Sequence, residues 1–97
     1  MDFQKGSISG QFINSSKNAK FEQLLELTGD EAIIQSEGVI QAGEIVANSK
    51  DAVIYSKSGE INAEKLSVMK NLQVEANLPT LKSITTVENS KFLLTKK

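Results

Sequence analysis

Positions spaced three and four apart line up in only one part of the chain. Between Asn18 and Gly29, the side chains of Phe21, Leu24, Leu25 and Thr28 fall on one face of a 3.6-residue period, which predicts an amphipathic helix. Asn18 can cap its first turn by accepting a backbone N–H bond, and Gly29 can supply the left-handed residue that ends its last turn. Ahead of this segment, from Phe3 to Asn14, Ile8, Gly10 and Phe12 share one side with polar residues between them, which suits a strand.

From Ala32 onward the pattern changes to short β-branched runs such as AIIQ, GVIQ, EIVA, AVIY, LQVE and KFLLT, separated by Gly, Ser, Asn, Asp and Lys. They are too short for ordinary helices, and Ile and Val suit a pleated surface. A twenty-residue frame organises them. Blocks beginning at Ala32, Ala52, Leu72 and Phe92 align AIIQS, AVIYS, LQVEA and FLLTK, with FINSS from Phe12 as the block before. Ile34, Ile54, Val74 and Leu94 share the third position, and two further apolar columns run through Ile40, Ile61 and Leu81 and through Val46, Val68 and Val87.

Read in order, these ten residues lie six to eight apart. If each interval is one short strand plus a bend, three intervals make one turn of a coil, and each residue points at the axis above its counterpart. The expectation is a mainly β fold, a short parallel β-solenoid of about three turns with an N-terminal capping helix, in which stacked Ile, Val and Leu form one narrow core. The helix over Phe21 to Leu27 would act as a lid on an otherwise unpaired first edge. The alternative is an α+β domain with one helix on an antiparallel sheet. The absence of Asn-Gly and Asp-Gly hairpin dipeptides favours the solenoid.

With 97 residues the chain reads as a single domain, 1–97, divided into an N-terminal strand and capping helix over 1–31 and β-solenoid repeats over 32–97. It holds no Cys and no His, which removes the thiol nucleophile, thiolate and imidazole metal ligands, the imidazole base and any disulfide framework. All eleven basic residues are Lys, and the formal net charge is −1. Nucleic-acid readers usually carry an Arg-containing basic stripe, so no nucleic-acid partner is expected. The first ten residues lack the basic and apolar regions of a secretory signal, and no window approaches the ~20 apolar residues that cross a bilayer. No membrane partner is expected, and a cytoplasmic location is the default. The inventory points away from an enzyme and implies no cofactor.

The stretch Ile61 to Leu94 resembles the leucine-rich β-solenoid repeats of bacterial and phage proteins, which are similar to receptor L-domains. Leu78, Pro79, Leu81, Ser83 and Ile84 match their LPxLxS[IV] phrase and are followed by Leu93 and Leu94, while Leu66, Val68, Leu72 and Val74 give a weaker copy. TVENSK stands where those repeats carry a glycine pair. A second resemblance, through GEIVANSKDAVIYSKSGEINAEKLSV with Gly-x-Ile turns at Gly43 and Gly59, is to the bactofilins, polymer-forming bacterial β-helices. The first likeness implies a scaffold displaying a binding face, the second end-to-end polymerisation.

Gln35, Tyr55, Glu75 and Thr95 each follow an inward residue of the frame, so by alternation they form an outward ladder. Tyr55 is the only tyrosine and the candidate aromatic anchor of an interaction face. An ordinary solvated sheet face, with Tyr55 packed on its neighbours, is the alternative. Glu44, Glu60 and Glu64 lack the ligand density of a calcium loop and read as solvated bend charges, like Lys50, Lys57, Lys65, Lys70, Lys82 and Lys91. Phe92, Leu93 and Leu94 either finish the last turn or offer a self-association edge, with Lys96 and Lys97 as gatekeepers. These readings describe a non-enzymatic protein-interaction module acting on a protein partner or on itself as a homo-oligomer, with a self-assembling structural polymer subunit as the alternative.

Overall fold

Buried and more exposed side chains alternate along most of the computed structural model, which describes residues 2–14 and 18–96. The period of two builds seven strands: β1 (Asp2–Asn14), β2 (Ala19–Ser36), β3 (Ile40–Ser56), β4 (Glu60–Val68), β5 (Asn71–Ala76), β6 (Leu78–Thr86) and β7 (Lys91–Lys96). Every pairing is parallel. β1 pairs β2, β2 pairs β3, β3 pairs both β4 and β5, β4 pairs β6, and β5 pairs β7. Each strand lies against the one a full turn away, so the chain is a β-solenoid of about four turns rather than three. The antiparallel α+β alternative is overturned by the same pairings.

Exposed residues interrupt the inward alternation of β2 twice, at Glu22–Gln23 and Gly29–Glu31, and there the chain bends. β3 runs through its second bend as one strand, whereas the next turn breaks at Met69–Lys70, which is why β3 faces two separate strands. The core fills the axis in columns. Ile34, Ile54, Val74 and Leu94 stack in register as the twenty-residue frame requires, and so do Ile40 and Ile61.

Elsewhere the columns differ from the expected ones. Leu81 stacks on Ala63 and Ala42, while Pro79 continues the column of Ile61. Val46 points outward above Ser67, and the inward residue that stacks on Val68 is Ala47. Val87 lies in the bend after β6, 44% exposed. A further inward column in this part of the turn runs through Leu25, Ile45 and Leu66 and ends at Ile84. In the first turn Gly10, not Phe12, aligns with Ala32, so Phe12 stacks on Ile34.

Among the described residues no helix forms, and the lid is replaced by a further turn of coil. Asn18 to Gly29 mimics helical spacing because a bend separates two strand segments: Phe21 points inward, Glu22 and Gln23 round the corner, and inward alternation resumes at Leu25 and Leu27. Leu25 therefore lies four positions after Phe21, as in a helix, but Leu24 faces outward. Asn18 accepts a bond from the N–H of Val39 at 3.1 Å, tying one turn to the next instead of capping a helix. Gly29 does take the left-handed conformation, with φ of 87°, at the second bend of the coil. The repeats accordingly begin in β1 and not at Ala32.

Buried serines fix the bends. Ser56 Oγ donates to the Gly38 carbonyl at 2.7 Å and accepts from the N–H groups of Gly59 and Glu60, both at 3.2 Å. Ser49 Oγ lies 3.1 Å from the carbonyl oxygens of both Gly29 and Asp51. Backbone groups that leave the sheet at a corner thus keep partners inside the protein.

Candidate functional site

Three surfaces of the coil are candidates, and the first is the outward ladder. The register places Gln35 beside Tyr55, Tyr55 beside Glu75, and Glu75 beside Thr95, with Ile13 preceding them. Thr95 is exposed, while Gln35, Tyr55 and Glu75 are half-buried, and Tyr55 and Glu75 are engaged with neighbouring groups. A second outward column, Gln11, Ile33, Val53, Gln73 and Leu93, runs beside the first. Of these ten positions Glu75 alone is charged. The sequence frame already held Ile33, Val53, Gln73 and Leu93 of this column at its second position, but in the first block it placed Ile13 there instead of Gln11.

The second surface is a polar cleft of about 210 Å³ along the column Lys20, Gln41, Asn62 and Thr80, bordered by Glu22, Glu64 and Lys82. Lys82 reaches Glu64 at 3.3 Å and Lys20 reaches Glu22 at 3.8 Å, all on the surface, where such pairs add little stability. Asn62 Nδ2 donates to Glu60 at 3.0 Å, and Glu44 stands in a different outward column, between Leu24 and Lys65. The three carboxylates singled out in the sequence are therefore not gathered at one point. Among the described residues no group of three or more carboxylates comes close enough to hold a metal ion.

The third surface is the pair of coil ends. β1 pairs only with β2, β6 only with β4 and β7 only with β5, so among the described residues the outer edges of these strands carry no neighbour. Phe92 is half-buried against the core, Leu94 is 39% exposed at the open end of its inward column, and Leu93 is 58% exposed on the outer face. Lys97 and the side chain of Lys96 lie outside the described residues. Of seven large apolar side chains exposed among the described residues, five (Leu78, Ile84, Val87, Leu93 and Leu94) belong to the C-terminal turn.

The opposite end has a different shape. Phe3 and Phe21 stack with ring centroids 5.3 Å apart, and a recess of about 230 Å³ opens among Phe3, Gly6, Ile8, Phe12 and Phe21. Sequence reading missed this end because it assigned Phe21 to a helix. Comparison with protein-family models, curated proteins and solved structures gave no match.

Proposed function

We propose that this chain is a non-enzymatic protein-interaction module that works through the open ends of its coil, on other copies of itself. The observation that carries the reading is the gathering of exposed apolar side chains on the C-terminal turn. A sheet edge with unpaired backbone groups is a template for another strand, and an apolar surface beside it adds the burial that makes pairing favourable. The lack of His and Cys supports the non-enzymatic part of the reading.

A second reading places a different protein on the outer face around Gln35, Tyr55, Glu75 and Thr95. The scarcity of charge on that face favours it, since charged side chains are depleted at the centres of interfaces. Sedimentation velocity on two variants separates the readings. Ile84→Lys, at a position 46% exposed on the C-terminal turn, is expected to abolish concentration-dependent association while its circular dichroism stays that of the parent. Tyr55→Ala is expected to leave association unchanged. Association lost in Tyr55→Ala and retained in Ile84→Lys would overturn the end-on reading in favour of the outer face.

A further inference from the structure

We infer that copies of this chain join head to tail, the C-terminal turn of one seating on the N-terminal turn of the next so that every column of the coil continues across the junction. The inference rests on the end-on reading above and adds its polarity and register. Its basis is the fit between the two ends. Continuing the columns places Leu81 on Phe3, Ile84 on Gly6, Thr86 on Ile8, Phe92 on Gly10 and Leu94 on Phe12 of the next copy. Phe92 thus faces a glycine with open space around it, Ile84 faces Gly6, where the Phe21 ring of the same copy already fills the place of a side chain, and the other columns pair two apolar residues or Thr with Ile.

The recess at the N-terminal end is lined by the residues that this register brings against Leu81, Ile84 and Leu94. At Gly10 nothing lies within 4 Å of the place where a side chain would start, which leaves room for the Phe92 ring of another copy. Joining two C-terminal turns would instead leave the recess at each N-terminal end empty. Electrostatics offers no obstacle. The outward columns would bring Lys5 next to Ser83, Ser7 next to Thr85, Gln11 next to Leu93 and Ile13 next to Thr95, with no like charges opposed. β1 rounds its first corner on Gln4 alone, as β6 does on Lys82 alone, so the two edges agree there. At the second corner β1 passes on Ser9 alone where the C-terminal turn uses Val87 to Lys91, a difference of the kind β1 already accommodates against Thr28 to Glu31 of β2.

The area is adequate but modest. Five paired strands spaced about 4.8 Å apart span roughly 19 Å, which corresponds to the shortest of the molecular extents, 34 × 24 × 20 Å. The end face then lies within 34 × 24 Å. Burying such a face on both copies removes on the order of 1,000 Å² from water, near the lower bound for a specific interface. The contact uses different surfaces on the two copies, so it does not close on itself and gives linear assemblies that lengthen with concentration.

The chain has no native cysteine, which permits a test by disulfide trapping. Ser7→Cys and Thr85→Cys are made separately, at exposed outward positions of one column, mixed in equal amounts and oxidised. Neighbouring strands hold Cα atoms within the 4.4–6.8 Å range that a disulfide spans. The expected product is the mixed disulfide far above the half that random pairing gives, with little product from either variant alone. Gln11→Cys with Leu93→Cys repeats the test in another column. Dominant Ser7→Cys or Thr85→Cys homodimers would overturn the polarity while leaving end-on association standing. No trapped product, with a molar mass of the unmodified chain that does not rise with concentration, would overturn both. A rising mass with no trapped product in either column would overturn the register alone.

Discussion

Ser56 shows how a single side chain positions a bend. Its hydroxyl lies inside the coil, donates to Gly38 and accepts from Gly59 and Glu60, so it joins one turn of the coil to the start of the next. Replacing it by alanine removes no core volume of consequence but strands the buried Gly38 carbonyl and Gly59 N–H and the part-buried N–H of Glu60. Ser56→Ala is expected to cost about 1–3 kcal/mol, the usual penalty for buried polar groups left without a partner, and chemical denaturation checks it. Ser36 occupies the equivalent place one turn earlier. This role was only half legible in the sequence. The frame aligned the two serines at the ends of AIIQS and AVIYS, yet an aligned serine reads equally as an exposed bend residue until burial is known.

Among the elements, β2 is where the sequence misleads. Its four-residue step from Phe21 to Leu25 comes from a corner, and two short strands joined by a bend imitate one helical turn. The later strands were legible because their inward residues fall at the same place in every block, and Ile34, Ile54, Val74 and Leu94 needed only that regularity. The third column was misplaced by one residue because Val46 is apolar but faces outward, while small Ala47 holds the inward position. The helix and strand readings of β2 make opposite demands on two leucines. Leu27 is fully buried in the coil, whereas Leu24 stands half-exposed on its outer side. Leu27→Ala is expected to lose about 2–5 kcal/mol, as large-to-small core changes do, and Leu24→Ala far less, both measured by denaturant unfolding. A helix packed through Phe21, Leu24, Leu25 and Thr28 would make Leu24 the costlier loss.

At the scale of the whole molecule, the coil is a stack with two unlike ends. Its interior turns satisfy one another: the core residues between β2 and β5 are buried, and each strand there has neighbours on both sides or forms part of a turn that does. Among the described residues the ends have no such partners, and their apolar residues are distributed unevenly, as a recess around Phe3, Gly6 and Phe12 at one end and exposed Ile84 and Leu94 at the other. In the sequence, the C-terminal edge was recognisable from Phe92, Leu93 and Leu94, but its complement was not, since the glycine at position 10 gains meaning only once the columns are known. Static and dynamic light scattering of the unmodified chain over a wide concentration range tests the central claim most directly. End-on association predicts a weight-average mass that climbs steadily above 10.5 kDa without reaching a plateau. A mass fixed at 10.5 kDa across the whole range would contradict it.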